Sequence, residues 1–134
     1  MHKRRVVVTG IGALTPVGNT KDAFWNGLVS GTSGAAPITH FDASKFKTQF
    51  ACEIKNFDAQ EHFDRKEARK MDRFTQYAIV ASDEAVHDAA LDLEKINKAK
   101  VGVIWGSGVG GLETFQNEVL NFASGEGTPR FNPL

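Results

Sequence analysis

Two apolar runs that each lead into a cluster of glycines constrain the fold more than any other feature of this sequence. The first run covers residues 5–9 and the second covers residues 100–105. Both are rich in β-branched residues and lack a regular polar alternation, which is typical of strands that are buried on both faces. Glycines directly after a strand allow a sharp turn into a helix. The sequence therefore predicts buried strands followed by helices in an α/β domain.

Capping residues and the spacing of apolar side chains predict three helices. The first begins after Asn19 or Thr20, either of which can cap it, and ends at Gly31. The last begins near Leu112, where apolar residues recur every three or four positions, and closes at Gly125.

The longest predicted helix lies between these two and runs from about residue 65 to about residue 91. Asp64 and Glu67 form a capping-box pattern at its start. A stripe of alanines at helical spacing allows close approach to another backbone, which favours a central position in the packing. A short strand is expected near residues 50–55. The order strand, helix, short strand, helix, strand, helix indicates a layered α/β architecture with a largely buried sheet.

Composition is that of an ordinary globular protein. The chain has 134 residues, of which 41% are apolar and 24% charged, and its formal net charge is zero. This length suits one domain, and no apolar run approaches the ~18 residues of a membrane span. The single cysteine, Cys52, excludes a disulfide framework and fits a reducing compartment. The balanced charge provides no broad positive field for nucleic acid.

Zero net charge conceals a local excess of positive charge. Four basic residues, which we name the basic cluster, begin the long predicted helix: Arg65, Lys66, Arg69 and Lys70. The positive end of a helix dipole disfavours each cation there by about 0.3–1 kcal/mol. Such a conflict between charge and helix favours a binding role, in which the cluster captures an acidic partner. The alternative is a solvated face that neighbouring carboxylates partly neutralise.

The glycine-rich segment 106–111, which we name the glycine turn, follows the second apolar run. Gly106, Gly108 and Gly111 match the dinucleotide-binding pattern, but no strand ending in an acidic residue follows about 20 residues later. Two other interpretations stay open. The glycines serve only a sharp strand-to-helix turn, or their bare backbone leaves room for a ligand chain, with Val109 as the one side chain that points at it.

Candidate nucleophiles, bases and metal ligands are sparse. Cys52 has no close basic neighbour and lies among apolar residues, so we expect a buried, inert thiol. The four histidines are scattered, and none has the spacing or the carboxylate neighbours of a metal site. The sequence therefore predicts no metal site, no cofactor and no catalytic residue within its 134 residues.

Three sequence blocks follow one another in a specific order and spacing: residues 4–20, RRVVVTGIGALTPVGNT; residues 65–72, RKEARKMD; and residues 106–113, GSGVGGLE. Together they resemble the β-ketoacyl-acyl carrier protein synthases, and most closely the type II enzymes of dissociated fatty acid synthesis. The resemblance implies a thiolase-like α/β fold with a layered α-β-α-β-α architecture, in a cytoplasmic homodimer. It also implies acyltransferase activity: fatty acid chain elongation by decarboxylative Claisen condensation of an acyl-enzyme with malonyl-acyl carrier protein.

The resemblance implies that residues 1–134 are the N-terminal part of the synthase domain, truncated before its nucleophilic cysteine and two histidines and therefore inactive alone. It matches Val109 to a residue that lines and can gate the acyl-chain tunnel, with Gly108 beside it in the substrate-binding turn. It matches four basic residues to the surface that docks the acidic, phosphopantetheine-bearing acyl carrier protein: Lys66, Arg69, Lys70 and Arg130. A partial sheet also leaves the apolar faces of residues 6–8 and 101–105 and the alanine stripe without partners.

Two other functions are kept as alternatives. A non-catalytic, chain-length-factor-like subunit of a polyketide or fatty acid synthase shares the fold but lacks the nucleophile. A nucleotide-binding α/β domain uses the glycine turn for a dinucleotide such as NAD, and here we expect no binding. The residue that stands at the nucleophile position of the full reading frame distinguishes the first alternative, and a nucleotide titration distinguishes the second.

Overall fold

The computed structural model describes residues 4–125 of the chain. Within them, four α-helices, two short strands and two 3-10 turns make up the regular structure. The helices are α1 (Lys21–Val29), α2 (Arg65–Ala68), α3 (Arg73–Asp88) and α4 (Leu112–Ser124). The strands are β1 (Ala36–Pro37) and β2 (Phe50–Ala51), and the 3-10 turns are Ala59–Glu61 and Lys98–Lys100.

The chain divides into two compact units, each built from two segments. The first unit comprises Met1–Phe57 and Ile79–Val103, and the second comprises Asp58–Ala78 and Ile104–Leu134. Helix α3 contributes residues to both units. The basic cluster and the glycine turn belong to the second unit, together with α4 and the start of α3.

Helix α1 in the first unit begins and ends as the sequence predicts. Thr20 is its N-cap, and the Thr20 hydroxyl accepts a hydrogen bond from Ala23 N at 3.2 Å. Gly31 has a φ of +67°, a left-handed conformation that glycine adopts without steric clash at a helix end. Asn19, the alternative cap, instead donates from Nδ2 to Lys55 O at 2.7 Å. Thr20 is therefore the cap that the helix uses.

The alanine stripe of α3 packs closely against backbone in the first unit, as predicted, so the expectation that a partial sheet leaves the stripe without partners is wrong. A Cβ added to Gly12 would lie 1.8 Å from Ala81 O, and one added to Gly10 would lie 2.2 Å from Ala85 O. Because no side chain fits at such distances, glycine is required at both positions. The buried apolar residues of the described chain are three alanines: Ala13, Ala43 and Ala81.

A short strand forms at the expected place but covers only the first two residues of the predicted segment 50–55. β2 pairs antiparallel with β1, with Ala36 opposite Ala51. Glu53 adds a contact between the segments that contain β1 and β2, because Thr39 Oγ1 donates a hydrogen bond to Glu53 Oε2 at 2.7 Å. This hydrogen bond holds the pKa of the Glu53 carboxyl below its usual value. The two-stranded ribbon is therefore tied together beyond its two paired residues.

The two apolar runs are not strands within residues 4–125, which corrects the prediction of a largely buried sheet. Neither residues 5–9 nor residues 100–105 has a hydrogen-bonded neighbouring strand there. Val6 is 88% exposed and Ile104 is 99% exposed. A strand is held by the hydrogen-bond ladder of its neighbour, and an apolar run without that neighbour gains little burial. The exposure agrees with the expectation that a partial sheet leaves these faces without partners.

The long helix predicted over residues 65–91 consists of two helices in the structure. Asp64 caps α2 as predicted, and its Oδ1 accepts hydrogen bonds from Lys66 N at 2.7 Å and Glu67 N at 2.9 Å. Helix α2 nevertheless ends at Ala68, and α3 begins only after a break of four residues. The predicted cap at Asp64 is confirmed, and the prediction of one continuous helix is wrong.

A buried glutamine stabilises this break in the second unit. Gln76 lies in the first turn of α3, and its Nε2 donates to Ala68 O at 2.8 Å and to Met71 O at 3.1 Å. Carbonyls at a helix end have no partner within the helix and need one from elsewhere. The amide of Gln76 provides that partner for the carbonyls of Ala68 and Met71, between the end of one helix and the start of the next.

Helix α4 covers the predicted segment. Its N-cap is Gly111, with a φ of +73°, and its C-cap is Gly125, whose N–H donates to Phe122 O at 3.3 Å. Helices α3 and α4 have 16 and 13 residues. None of the helices in the described part of the chain is long and apolar enough to cross a membrane.

Candidate functional site

The four side chains of the basic cluster are all exposed. Arg65 and Lys66 lie in α2, Arg69 is its C-cap, and Lys70 follows directly. Within residues 4–125, none of the ion pairs involves any of the four. Exposed positive charge that is not ion-paired attracts an acidic partner across roughly a Debye length, about 10 Å at 0.1 M salt. The cluster therefore has the electrostatic character of a docking surface.

The position of the cluster relative to the helix dipole differs from the prediction. Because α2 ends at Ala68, Arg69 and Lys70 lie at its C-terminal end, where cations are favourable. The predicted conflict with the dipole is therefore wrong for these two residues. A single turn of helix has only a small dipole, so the attraction for anions comes from the side-chain charges.

A fifth cation extends the cluster and is not among the site residues that the sequence predicts. Arg73 is exposed, begins α3 and follows Lys70 by three residues. The sequence feature that indicates Arg73 as a site residue is its position directly after the block 65–72. Arg130, which completes the predicted docking set, lies outside the described residues 4–125.

The glycine turn is tightly packed where it joins α4. A Cβ added to Gly110 would lie 3.1 Å from Cε1 and Cζ of Phe74. A Cβ added to Gly111 would lie 3.3 Å from Asp72 Oδ2. The two glycines thus allow the start of α3 to approach the turn closely, and the φ of +73° at Gly111 favours glycine there in its own right.

The other end of the glycine turn is open. Nothing among the described residues lies within 4 Å of a Cβ added to Gly106 or Gly108. Val109 stands between the open and the packed ends, and its side chain is 69% exposed. Packing against the described residues does not account for the glycines at the open end, and room for a ligand chain beside Val109 stays a prediction.

Asp72 connects the segment after the basic cluster to α4. Thr114 Oγ1 donates a hydrogen bond to Asp72 Oδ1, and both residues are half-buried. The carboxylate therefore lies at the first turn of α4, where a dinucleotide-binding turn would place a pyrophosphate. A fixed negative charge there repels phosphate, and within residues 4–125 no strand directly precedes the turn. Both findings argue against a dinucleotide site.

The remaining candidate residues are scattered over the described chain. Cys52 is exposed, which corrects the expectation of a buried thiol. It directly follows β2, and a sheet of two strands is too small to cover it. His40 Nε2 lies 3.9 Å from Glu53 Oε1. Within residues 4–125, no group of three or more His, Cys, Asp and Glu side chains could hold a metal ion.

Sequence comparison decides the family. The family model described as "Beta-ketoacyl synthase, N-terminal domain" matches residues 3–132. The chain belongs to the β-ketoacyl synthase family. Proteins named 3-oxoacyl-[acyl-carrier-protein] synthase 2 are 48% identical over 118 residues in Synechocystis sp., 51% over 116 in Vibrio harveyi and 50% over 115 in Staphylococcus aureus. These alignments cover 88%, 87% and 86% of this chain but 28% of each relative.

Solved structures confirm that this β-ketoacyl synthase chain has part of the thiolase-like α/β fold. The ishigamide ketosynthase/chain length factor superposes with a TM-score of 0.75 at 28% identity, covering 98% of this chain and 33% of that one. A type II polyketide synthase acyl-carrier protein in complex with its ketosynthase gives 0.73 at 27% identity, covering 95% and 33%. A beta-ketoacyl synthase from Burkholderia phymatum gives 0.71 at 29% identity, covering 95% and 32%.

Proposed function

We propose that this chain is the N-terminal part of an acyltransferase that elongates fatty acyl chains. The observation that carries the proposal is the identity of 48–51% to proteins named 3-oxoacyl-[acyl-carrier-protein] synthase 2. The reaction is a decarboxylative Claisen condensation. An acyl group moves from carrier protein to a cysteine thiolate of the full-length enzyme, malonyl-acyl carrier protein loses CO2, and the carbanion attacks the acyl thioester as the thiolate leaves.

The proposal assigns the reacting groups of this condensation to sequence outside residues 1–134. The nucleophilic cysteine and the two histidines of the family have no counterpart in this chain, because Cys52 lies in a different sequence context. Residues 1–134 alone are therefore expected not to condense. The same proposal places the full-length enzyme in the cytoplasm as a homodimer, in line with the family resemblance.

Docking of acyl carrier protein is the first role that we propose for residues of this chain. Lys66, Arg69 and Lys70 are exposed and not ion-paired within residues 4–125, so their charge is available to an acidic partner. Electrostatic complementarity of this kind raises the rate of encounter and selects the partner. One of the similar structures is that of an acyl-carrier protein with its ketosynthase, which supports the same kind of partner here. Arg130 is included in the proposed surface on its sequence match.

Accommodation of the acyl chain is the second proposed role. Gly108 is at the open end of the glycine turn and leaves its backbone accessible. Val109 is 69% exposed beside it and provides an apolar side chain against which an acyl chain can pack. Gly108 and Val109 are therefore the proposed substrate-binding residues.

Charge reversal tests the docking surface in the full-length protein. The test variant reverses three charges of the basic cluster: Lys66→Glu, Arg69→Glu and Lys70→Glu. The matched control reverses three exposed lysines elsewhere: Lys45→Glu, Lys47→Glu and Lys100→Glu. In titrations with acyl carrier protein at low salt, we expect an affinity at least about tenfold lower for the test variant and within about threefold of wild type for the control. Equal losses would show that only net charge matters and would contradict docking at the cluster.

Chain elongation itself is tested with the full-length protein, acyl carrier protein and malonyl-acyl carrier protein. Release of CO2 together with a product longer by two carbons, through an acyl-cysteine intermediate, is the expected result. A second candidate function is a non-catalytic, chain-length-factor-like subunit, because one of the similar structures, at a TM-score of 0.75, is that of a ketosynthase/chain length factor. Condensation that occurs only after a separate ketosynthase is added would support that candidate and contradict the first.

A further inference from the structure

We infer that Asp72 is a positioning residue for the acyl-binding turn, an inference that rests on the function proposed above. Asp72 follows the basic cluster by two residues and is held through both its backbone and its side chain. Its carbonyl accepts hydrogen bonds from Thr75 N at 3.0 Å and from Gln76 N at 3.1 Å in the first turn of α3. Its carboxylate accepts the hydroxyl of Thr114 in the first turn of α4. Asp72 therefore joins the starts of two helices.

The start of α4 needs such an external contact. Its N-cap is Gly111, which has no side chain to cap the helix. The positive end of a helix dipole favours a nearby negative group, and the carboxylate of Asp72 is one. The Phe74 ring lies against Gly110 from the same side of the turn. The start of α3 thus provides both a polar and an apolar contact to the end of the glycine turn.

Val109 is the residue whose position depends on these contacts. It immediately precedes Gly110, and the glycines before it at 106 and 108 have open space around them within the described chain. The contacts at Gly110 and Gly111 are therefore the ones that restrain Val109 on the α4 side. If the bond between Thr114 and Asp72 is lost, the turn gains freedom and the space beside Val109 changes. The expected consequence is altered acyl-chain selectivity with unaltered carrier-protein docking.

Removal of the Thr114 hydroxyl distinguishes positioning of the glycine turn by Asp72 from a general effect on helix α4. Thr114→Val removes the donor and keeps the side-chain shape, whereas Thr114→Ser keeps the donor. Asp72→Asn keeps an acceptor and removes the charge. The matched control is Ser124→Ala at the other end of α4, where the hydroxyl of Ser124 bonds, among residues 4–125, to Asn121 O within the same helix at 3.3 Å.

Two measurements on the full-length protein test the inference. Amide hydrogen exchange of a peptide covering residues 111–116 should be at least about fivefold faster in Thr114→Val, because the start of α4 opens more often. The ratio of kcat/KM for long and short acyl substrates should change by at least about fivefold. In Thr114→Ser and Ser124→Ala, the exchange rate and the kcat/KM ratio should both stay within about twofold of wild type. The affinity for acyl carrier protein should stay within about twofold of wild type in every Thr114 variant.

Unchanged exchange in Thr114→Val would overturn the inference, and so would faster exchange with an unchanged ratio in an active enzyme. If Thr114→Val lowers global stability, the same two measurements are made on Asp72→Asn instead. We expect Asp72→Asn to show a smaller change than Thr114→Val in both, and wild-type values in Asp72→Asn would overturn the inference. A wild-type protein that does not condense would defeat the proposed function instead. Hydrogen exchange in the variants then still decides whether the bond to Asp72 holds the turn.

Discussion

Glu84 accepts a hydrogen bond from the backbone N–H of Lys21, with 2.7 Å between Lys21 N and Glu84 Oε1. Its other oxygen, Oε2, accepts from Ala13 N at 2.8 Å. The first N–H groups of a helix have no partner within the helix, and Lys21 is the first residue of α1. A single half-buried side chain of α3 therefore completes the start of α1 and fixes the segment that precedes it.

Loss of this carboxylate should destabilise the first unit. Glu84→Ala leaves two backbone donors without their charged acceptor, and we expect the free energy of unfolding to fall by about 2 kcal/mol. Asp83 is the matched control, because it is the preceding carboxylate of the same helix and is exposed. Asp83→Ala should change the free energy by no more than about 0.5 kcal/mol. Denaturant titration compares the two, and equal effects would contradict the role assigned to Glu84.

A change of pH should act on the first unit through Asp88. Lys21 Nζ donates to Asp88 Oδ1 at 2.5 Å and Ile11 N donates to Oδ2 at 3.0 Å, and these hydrogen bonds hold the pKa of Asp88 below its usual value. A depressed pKa gives stability that is complete above the pKa of the unfolded chain, about 4, and is lost as the pH falls through the folded pKa. Acidification below about pH 4 should therefore weaken this contact.

Removal of the cation tests that assignment. In Lys21→Met the pKa of Asp88 should move up toward its ordinary value, and only partly, because the bond from Ile11 N remains. Carboxyl titration by NMR measures the shift directly. Lys47→Met removes an exposed lysine elsewhere and should leave the pKa of Asp88 in place. An unchanged Asp88 titration in Lys21→Met would contradict the contact.

Two glycines should respond oppositely to the same substitution. A Cβ on Gly12 would lie 1.8 Å from the backbone oxygen of Ala81, and neither backbone can move away without disturbing α3. Gly12→Ala should therefore cost about 3 kcal/mol of stability or more. Nothing among the described residues lies within 4 Å of a Cβ on Gly102. In the 134-residue chain Gly102→Ala should be neutral or stabilise by up to about 1 kcal/mol. Thermal unfolding of both variants checks the contrast, and similar losses would contradict the close packing at Gly12.

Helix ends are predictable from this sequence because the interactions that fix them are local. Thr20 and Asp64 each accept a hydrogen bond from a backbone N–H three residues ahead. Gly31 and Gly125 end their helices because glycine readily adopts conformations other than helical ones. None of these features requires knowledge of distant parts of the chain, so composition and spacing are enough.

The break between α2 and α3 depends on a contact that local propensity does not encode. Glutamine is a good helix former, and the segment 65–91 has continuous helical periodicity. In the structure Gln76 reaches back to Ala68 O, eight residues earlier. The runs at residues 5–9 and 100–105 do not form the predicted strands for another reason. A β-strand needs partner strands, and residues 4–125 do not provide them.

In the candidate site, too, local features are predictable from the sequence and contacts between distant segments are not. The positive charge of the basic cluster is visible in the sequence, and its exposure follows from charge alone. The hydrogen bond from Thr114 to Asp72 joins residues 42 positions apart, and neither local segment indicates the other. The difference between open Gly108 and packed Gly110 likewise depends on Phe74, which lies in another segment.

Bulk at Val109 should shorten the acyl chains that the full-length enzyme accepts. Val109 is 69% exposed among the described residues, and the added bulk of Val109→Phe is expected to fill the space beside Gly108. We expect kcat/KM for a long acyl substrate to fall at least about tenfold, because a blocked pocket loses the binding of several methylenes, while a short acyl substrate changes by less than about threefold. Val119→Phe, the same change at an exposed valine of α4, should leave the ratio at the wild-type value. Equal losses for long and short substrates in Val109→Phe would show that the valine does not line the acyl chain.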